Sequence, residues 1–166
     1  DQYRYWLKKM KKIYSFIFLI LLTVNMTSCG YKMRGSEKMN FSSISIDGGS
    51  ASFTKILKKR FKQSGVKIDS KNSEKKLEIV DDKFSKKILS LSSAGKVKEY
   101  QIAYTVIFRI KSKDEEWGSP INIQTNRDYT YDDKNIIAKT EEEARLIKGM
   151  QKQLIRTMVT QISVSK

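Results

Sequence analysis

Apolar and polar residues alternate over several stretches of the chain, and this period of two predicts strands. The longest stretch has apolar residues at the even positions of 100–110 and mostly polar ones between them. That pattern predicts a long antiparallel strand with one buried face. Similar alternations over 41–47 and 121–131 predict two more strands, and one over 77–82 changes phase near Asp81, as a β-bulge would cause.

Two further segments have the period of an α-helix. In the first, apolar side chains between 53 and 61 share one face, a serine before them could cap the start, and Gly65 marks the end. The second begins at Thr140–Glu143, which has the form of a capping box, and runs to about Ile162. The order β-α-β-β-β-α predicts an α+β two-layer sandwich, with a four-stranded, mainly antiparallel sheet and both helices packed on one face.

Composition narrows the possible chemistry. The chain has 166 residues, with 33 Lys and Arg against 18 Asp and Glu, no His and one Cys. Without His there is no Ser-His-Asp triad, no Cys-His pair and no His-ligated metal, and one Cys forms neither a zinc site nor an internal disulfide. We therefore expect a protein that is not an enzyme and holds no metal, and whose net charge of +15 indicates an anionic partner or a lysine-rich solvated surface.

The N-terminal segment has the layout of a secretory signal peptide. Basic residues between 4 and 12 precede an uncharged run, Ile13–Val24, which is shorter than the roughly 20 residues of a bilayer-spanning helix. The string Met-Thr-Ser-Cys at 26–29 resembles the lipobox of bacterial lipoproteins. That resemblance implies cleavage before Cys29, a covalent diacylglycerol and acyl chain on this residue, and sorting to the periplasmic face of the outer membrane.

These features divide the chain into three parts. Residues 1–28 are interpreted as a lipoprotein signal peptide, of which 1–9 would be an over-extended start because Met10 opens a normal one. Residues 29–40 are interpreted as a lipidated N-terminal tether that attaches the protein to the membrane. Residues 41–166 are interpreted as a single α+β domain.

A nucleic-acid-binding domain is one competing interpretation of the basic charge. Such a surface needs exposed aromatic side chains interleaved with Lys or Arg. Here Tyr100, Tyr104 and Phe108 share their strand face with Ile and Val, which is typical of a core. We therefore expect no nucleic-acid partner, and a periplasmic address would agree with this.

Five strings occur in order behind the lipobox. They are Cys29–Gly35, Ala94–Ile102, Arg127–Asp132, Ile137–Lys139 and Gln153–Ile155. Together they resemble the family of the lipopolysaccharide-assembly lipoprotein LptE, once called rare lipoprotein B. The resemblance implies a non-enzymatic lipoprotein with no cofactor beyond its covalent lipid, which plugs the LptD β-barrel translocon, assists assembly of that barrel and binds lipopolysaccharide. The alternative is a different outer-membrane assembly lipoprotein, such as a pilotin-like partner of a secretin or another barrel.

The implied ligand is anionic, so exposed cations near a loop end are candidates to contact it or the barrel. We select Lys96 and Lys98 beside the turn before the long strand, Arg127 on the last strand, and Lys139 at the start of the last helix. The alternative for each is a solvated surface charge. Arg127 is on the apolar phase of its strand, so its alternative role is to bond a nearby carboxylate.

Overall fold

The computed structural model describes residues 39–69 and 71–165, together with Tyr3 and Trp6. Its elements are β1 (Ser43–Gly48), α1 (Ala51–Gln63), β2 (Lys67–Ile68), β3 (Lys75–Leu91), β4 (Val97–Ser112), β5 (Ile121–Thr130), a 3₁₀ turn (Asp133–Asn135) and α2 (Ile136–Val164). All of them lie in one compact unit, Ser36–Lys166. The predicted signal peptide, Cys29 and most of the predicted tether lie outside the described residues and stay predictions.

The sheet is mixed and has five strands in the order β2-β1-β3-β4-β5. The predicted α+β class is therefore confirmed, whereas the prediction of four strands is wrong by one. The missed strand, β2, has two residues, which is too short for any alternation to show. β1 pairs in parallel with both β2 and β3. The connection from β1 to β2 is α1, which runs back along the sheet so that the chain enters β2 in the same direction as β1. The remaining pairs, β3 with β4 and β4 with β5, are antiparallel as predicted.

The core lies between the sheet and the two helices. The even-numbered residues of β4 from 102 to 108 are buried, while the odd-numbered ones are partly exposed. From the helix layer α1 contributes Phe53, Leu57 and Phe61 to the core. α2 contributes a longer stripe of buried side chains, which consists of Met150, Gln151, Leu154, Ile155, Met158, Val159 and Ile162. Burying these two apolar stripes against one sheet face is the main driving force for the fold.

The opposite sheet face carries polar cross-strand pairs. Gln101 Nε2 donates a hydrogen bond of 2.9 Å to Asp128 Oδ1. Arg109 Nε forms an ion pair with Glu78 on the neighbouring strand. Since these side chains satisfy one another across the strands, that face stays partly exposed without an apolar layer over it.

The predicted β-bulge in β3 is present, with a register shift against β4 between Ile79 and Asp81. β1 ends beside it at Gly48, whose φ is +75° and whose added Cβ would lie 2.3 Å from the Ile79 carbonyl oxygen. Only glycine fits such a close crossing. Beyond the bulge, β3 continues as one arm of a long hairpin with β4. Among the described residues it has no other neighbouring strand there.

The capping box predicted at Thr140–Glu143 is wrong. α2 begins one turn earlier, so Thr140 Oγ1 donates to the Ile136 carbonyl oxygen at 2.9 Å from inside the helix. Asp132 caps the preceding 3₁₀ turn instead, by accepting a hydrogen bond from the Lys134 amide. Among the described residues, no helix is both long enough and apolar enough to cross a membrane.

Candidate functional site

One turn, one loop and the start of one helix lie together at one end of the sheet, which we call the tip. It comprises the β3–β4 turn (92–96), the loop and 3₁₀ turn after β5 (131–135) and the first two turns of α2 (136–143). Gly95, with φ +76°, closes the first turn by donating its amide to the Ser92 carbonyl oxygen at 2.9 Å. The Tyr131 amide donates to the Lys98 carbonyl oxygen at 2.9 Å and so joins β5 to the same end.

Three of the four predicted contact lysines and arginines lie at or beside the tip. Lys96 Nζ is 2.8 Å from Asp133 Oδ2, in a pair that is exposed on both sides. Lys139 Nζ is 2.9 Å from Glu142 Oε2 and 3.3 Å from Thr130 Oγ1, and its side chain is only 19% exposed. Lys98 is exposed on the strand next to them. The fold therefore brings Lys139 to the same end of the sheet as Lys96 and Lys98, which are distant from it in sequence.

Arg127 lies away from the tip and is oriented differently. It is opposite Ile102 on the face covered by the helices, and its Nη2 donates to Gln153 Oε1 on α2 at 2.6 Å. Its Nη1 donates to the Asn126 carbonyl oxygen at 2.7 Å. Together with a longer bond to the Thr125 hydroxyl, these are its hydrogen-bond partners, rather than the nearby carboxylate considered from the sequence.

A further lysine, which lies beside the tip in the same cross-strand row as Arg127, was missed by the sequence reasoning. Lys86 Nζ is 2.5 Å from Glu143 Oε2 and lies over the Tyr100 ring, 4.1 Å from its centroid. The Tyr129 hydroxyl donates to the same Glu143 carboxylate, and its ring stacks on that of Tyr100 at 5.9 Å. The available signal was the position of Lys86 on the helix-facing phase of β3, where an apolar residue would be expected.

The electrostatics of this cluster follow from its partial burial. Burial lowers the pKa of Lys86, but hydrogen bonds with Glu143 and Tyr129 outweigh it and raise the pKa to about 12. Burial also raises the pKa of Glu143, but its hydrogen bonds with Lys86 and with the Tyr129 hydroxyl outweigh it and hold the pKa below its usual value. The pair is therefore ionised across the physiological range. It holds α2 against the hairpin.

The pKa values of the exposed pair Lys96–Asp133 shift in the same directions as those of Lys86 and Glu143. The hydrogen bond with Asp133 raises the pKa of Lys96, and the reciprocal bond lowers the pKa of Asp133. Both groups stay charged near neutral pH. A phosphate or sugar carboxylate could replace the Asp133 carboxylate on Lys96, because the pair is exposed to water and such surface pairs are weak.

Two lysines of the tip, Lys96 and Lys139, are each paired with a carboxylate. An anionic ligand can bind here by replacing such a carboxylate on the lysine, which is a binding role rather than a catalytic one. In the described part of the chain, no group of three or more His, Cys, Asp or Glu residues could hold a metal ion. The tip therefore presents several ammonium groups at one end of the sheet, an arrangement that suits a multiply charged anion.

The free arm of β3 is a second unusual surface. Its apolar residues beyond the bulge are exposed to an extent that is uncommon for a strand. They are Phe84 (38%), Ile88 (54%), Leu89 (44%) and Leu91 (56%), and Val80 at the bulge itself is also exposed (53%). The outer edge of this arm also has no strand beside it among the described residues. Such an edge is typical of a surface that another protein covers.

Comparison with protein families identifies the family of this chain. A family model described as LptE, lipopolysaccharide-assembly, matches residues 41–162, which is most of the chain and all five strands. The chain belongs to the LptE family. A comparison with the curated proteins gives no match. The family is one of non-enzymatic, cofactor-free lipopolysaccharide-assembly lipoproteins, in agreement with the resemblance identified from the sequence.

Solved structures of LptE-like lipoproteins have the same fold. Rare lipoprotein B from Shewanella oneidensis is 26% identical with a TM-score of 0.66, over 73% of this chain and 93% of that one. A lipoprotein B from Nitrosomonas europaea is 27% identical with a TM-score of 0.69, over 81% and 90% of the two chains. A minor lipoprotein from Acinetobacter baumannii, 20% identical with a TM-score of 0.61 over 75% and 92%, shares the fold.

Proposed function

We propose that this LptE-family protein is the outer-membrane lipoprotein of the lipopolysaccharide transport machinery. In this proposal it plugs an LptD-like β-barrel translocon, assists assembly of that barrel and binds lipopolysaccharide on its way to the outer leaflet. Acyl chains on Cys29 anchor it to the periplasmic face of the outer membrane, and it needs no other cofactor. The observation that carries the proposal is the family match over 41–162, which includes every element of the tip.

The lipopolysaccharide contact is assigned to the tip. Lys96 and Lys139 each have one carboxylate partner, and Lys98 is exposed and forms no ion pair among the described residues. Lipid A phosphates carry more charge than one carboxylate, so they compete well for these ammonium groups. Arg127 is proposed as a weaker contact with lipopolysaccharide or the barrel, because it must first break its hydrogen bond to Gln153.

The barrel contact is assigned to the free arm of β3. Its exposed apolar residues and its unpaired edge would be covered by the inside of a barrel wall. The polar open face of the sheet and the paired charges of the tip would then remain in contact with water and with ligand.

The first experiment tests the partner. The full chain, tagged and purified in detergent from its own envelope, is washed at high salt, and co-purifying proteins are identified by mass spectrometry. We expect one large β-barrel protein in equal amount. Recovery of a secretin or of soluble periplasmic proteins alone would favour the pilotin-like alternative and contradict the proposal.

The second experiment tests the ligand site. The triple variant Lys96→Ala/Lys98→Ala/Lys139→Ala is compared with Lys76→Ala/Lys83→Ala/Lys87→Ala, which removes the same charge from exposed positions on the open sheet face. Competition with labelled lipopolysaccharide should show a loss of at least about tenfold in affinity for the first variant, and less than about twofold for the second. Equal losses would mean that net charge, and not the tip, governs binding.

A further inference from the structure

The outer surface of the helix layer carries a one-sided set of cations, which we call the basic helix face. It consists of Lys55, Lys59, Arg60, Lys62, Lys152 and Arg156. α1 has no acidic residue, and the only acidic residues of α2 are the three glutamates at 141–143. Among the described residues, none of the six cations forms an ion pair. This differs from the tip, where acidic groups are interspersed.

The sequence periodicity of α1 places its three exposed lysines away from the sheet, whereas Arg60 is half-buried at the groove between the helices. Phe53, Leu57 and Phe61 are buried, and lysines 55, 59 and 62 lie on the opposite side of the helix and are exposed. The 13 residues of α1 span about 20 Å, so the exposed lysines form a row rather than a point.

Cations from both helices converge in the shallow groove between α1 and α2. This groove has a volume of ≈ 290 Å³ and is lined by Ile56, Lys59, Arg60, Gln63, Lys152, Ile155 and Arg156. The Nε of Arg60 is buried and has no hydrogen-bond partner. Four cations on one groove repel one another, since they lie within about one Debye length and no carboxylate lines the groove. A counter-charge from outside the molecule would relieve this repulsion.

We propose that the basic helix face docks on the surface of an anionic lipid bilayer. The composition of the face favours this partner over a protein, because protein interfaces are depleted in lysine and are anchored by aromatic or large apolar residues. None of the exposed large hydrophobic residues of the described chain lies on the basic helix face. The lack of aromatic side chains there also disfavours single-stranded nucleic acid, which binds by stacking.

Lipid phosphates match the geometry of this face. A row of lysines that extends along one helix can contact several headgroups at once, and each Lys or Arg near an anionic surface strengthens binding by roughly fivefold. The groove arginines and lysines can in addition hold one phosphate between the helices. The face lacks an apolar wedge, so docking is electrostatic and reversible, without insertion into the acyl chains.

This docking is separate from the proposed function, because it requires neither lipopolysaccharide nor a barrel. It would orient the chain at the bilayer before the chain reaches a barrel partner. If Cys29 is acylated as the sequence predicts, the lipid anchor and the basic helix face would act as two linked contacts with one membrane.

The test uses vesicle co-sedimentation of the full chain. Vesicles of phosphatidylcholine with about 30% phosphatidylglycerol are compared with pure phosphatidylcholine vesicles, which report any binding by the apolar N-terminal run. The variant Lys55→Gln/Lys59→Gln/Lys62→Gln is compared with Lys76→Gln/Lys83→Gln/Lys87→Gln, which has the same net charge. Thermal unfolding of both variants checks that they are folded. If the first is unstable, Lys152→Gln/Arg156→Gln on α2 replaces it.

We expect the helix-face variant to lose binding to the anionic vesicles by at least about tenfold and the sheet-face variant by less than about threefold. Raising the salt from about 0.1 M to about 1 M should abolish the difference, because the Debye length falls from about 10 Å to about 3 Å. Equal losses in the two variants, or equal binding to both vesicle types, would overturn the proposal. So would a helix-face variant that binds vesicles normally but no longer co-purifies with a barrel, because the face would then be a protein interface.

Discussion

The tip and the basic helix face are both rich in lysine but differ in what those lysines contact. At and beside the tip, Lys86, Lys96 and Lys139 each lie within 2.9 Å of a carboxylate oxygen. On the basic helix face, Lys59 and Arg156 line a groove that contains no acid. The same residue type therefore holds elements together in one region and leaves unbalanced charge in the other. Two kinds of substitution should separate these roles.

The largest effect is expected from breaking the ion pair between Lys86 and Glu143. Glu143→Ala leaves Lys86 and the Tyr129 hydroxyl without their shared acceptor in a partly buried place. We expect a loss of about 2 kcal/mol in the free energy of unfolding, measured by denaturant titration. Glu141→Ala is the matched control, because its pair with Arg145 is exposed and 3.5 Å long, and should cost less than about 0.5 kcal/mol. Equal costs would mean that the buried cluster adds nothing to stability.

A smaller effect is expected from alkaline pH. The pKa of Lys86 is raised from 10.5 to about 12 in the folded state, so the folded state holds this proton more tightly than the unfolded chain. The resulting stability is present below pH 10.5 and is lost as the pH rises toward 12. We expect about 1 kcal/mol from this residue, after allowance for its partial exposure.

The measurement is the free energy of unfolding at several pH values from 9 to about 12, for the unsubstituted chain and for Lys86→Met. The substituted protein should show a weaker decline across this window. A parallel decline in both proteins would assign it to other lysines or to the tyrosines.

The smallest effect has the opposite sign and comes from the basic helix face. Lys59→Gln removes one of the mutually repelling cations of the groove, so we expect a gain of about 0.3 kcal/mol in the free energy of unfolding at low salt. The gain should vanish in about 1 M salt, which screens the repulsion. Lys86→Gln under the same conditions should lose stability. If both substitutions change stability in the same direction, the distinction between the two regions is wrong.

Much of the fold could be predicted from the sequence, because its signals are periodic. The alternation along β4 and the phase change at Ile79 and Asp81 each identify a strand feature that a few residues determine locally. The two-residue β2 could not be predicted, since its pairing with β1 depends on the tertiary position of α1. The start of α2 was predicted one turn too late, because Ile136 and Ile137 are exposed and do not continue the apolar periodicity of the helix.

The candidate site could be predicted less completely. Lys96 and Lys139 were selected from their places beside a turn and near a helix start, and both lie at the tip. Arg127 was selected as a cation on the last strand, but its bond to Gln153 connects two segments that no local pattern relates. Lys86 was missed because its carboxylate partner is 57 residues away. Local sequence indicates which cations are near turns, and only the fold determines which anions they meet.

The free arm of β3 also has a consequence for how backbone amides exchange with deuterated water. In an antiparallel pair, every second residue directs its N–H toward the partner strand and the residues between direct theirs outward. Residues 75–79 lie between β1 and β4, so their amides are protected on both sides. From 81 to 88 only the β4 side is paired. Exchange along β3 therefore changes at the bulge from uniformly slow to alternating slow and fast, and binding of a partner strand would restore uniform protection.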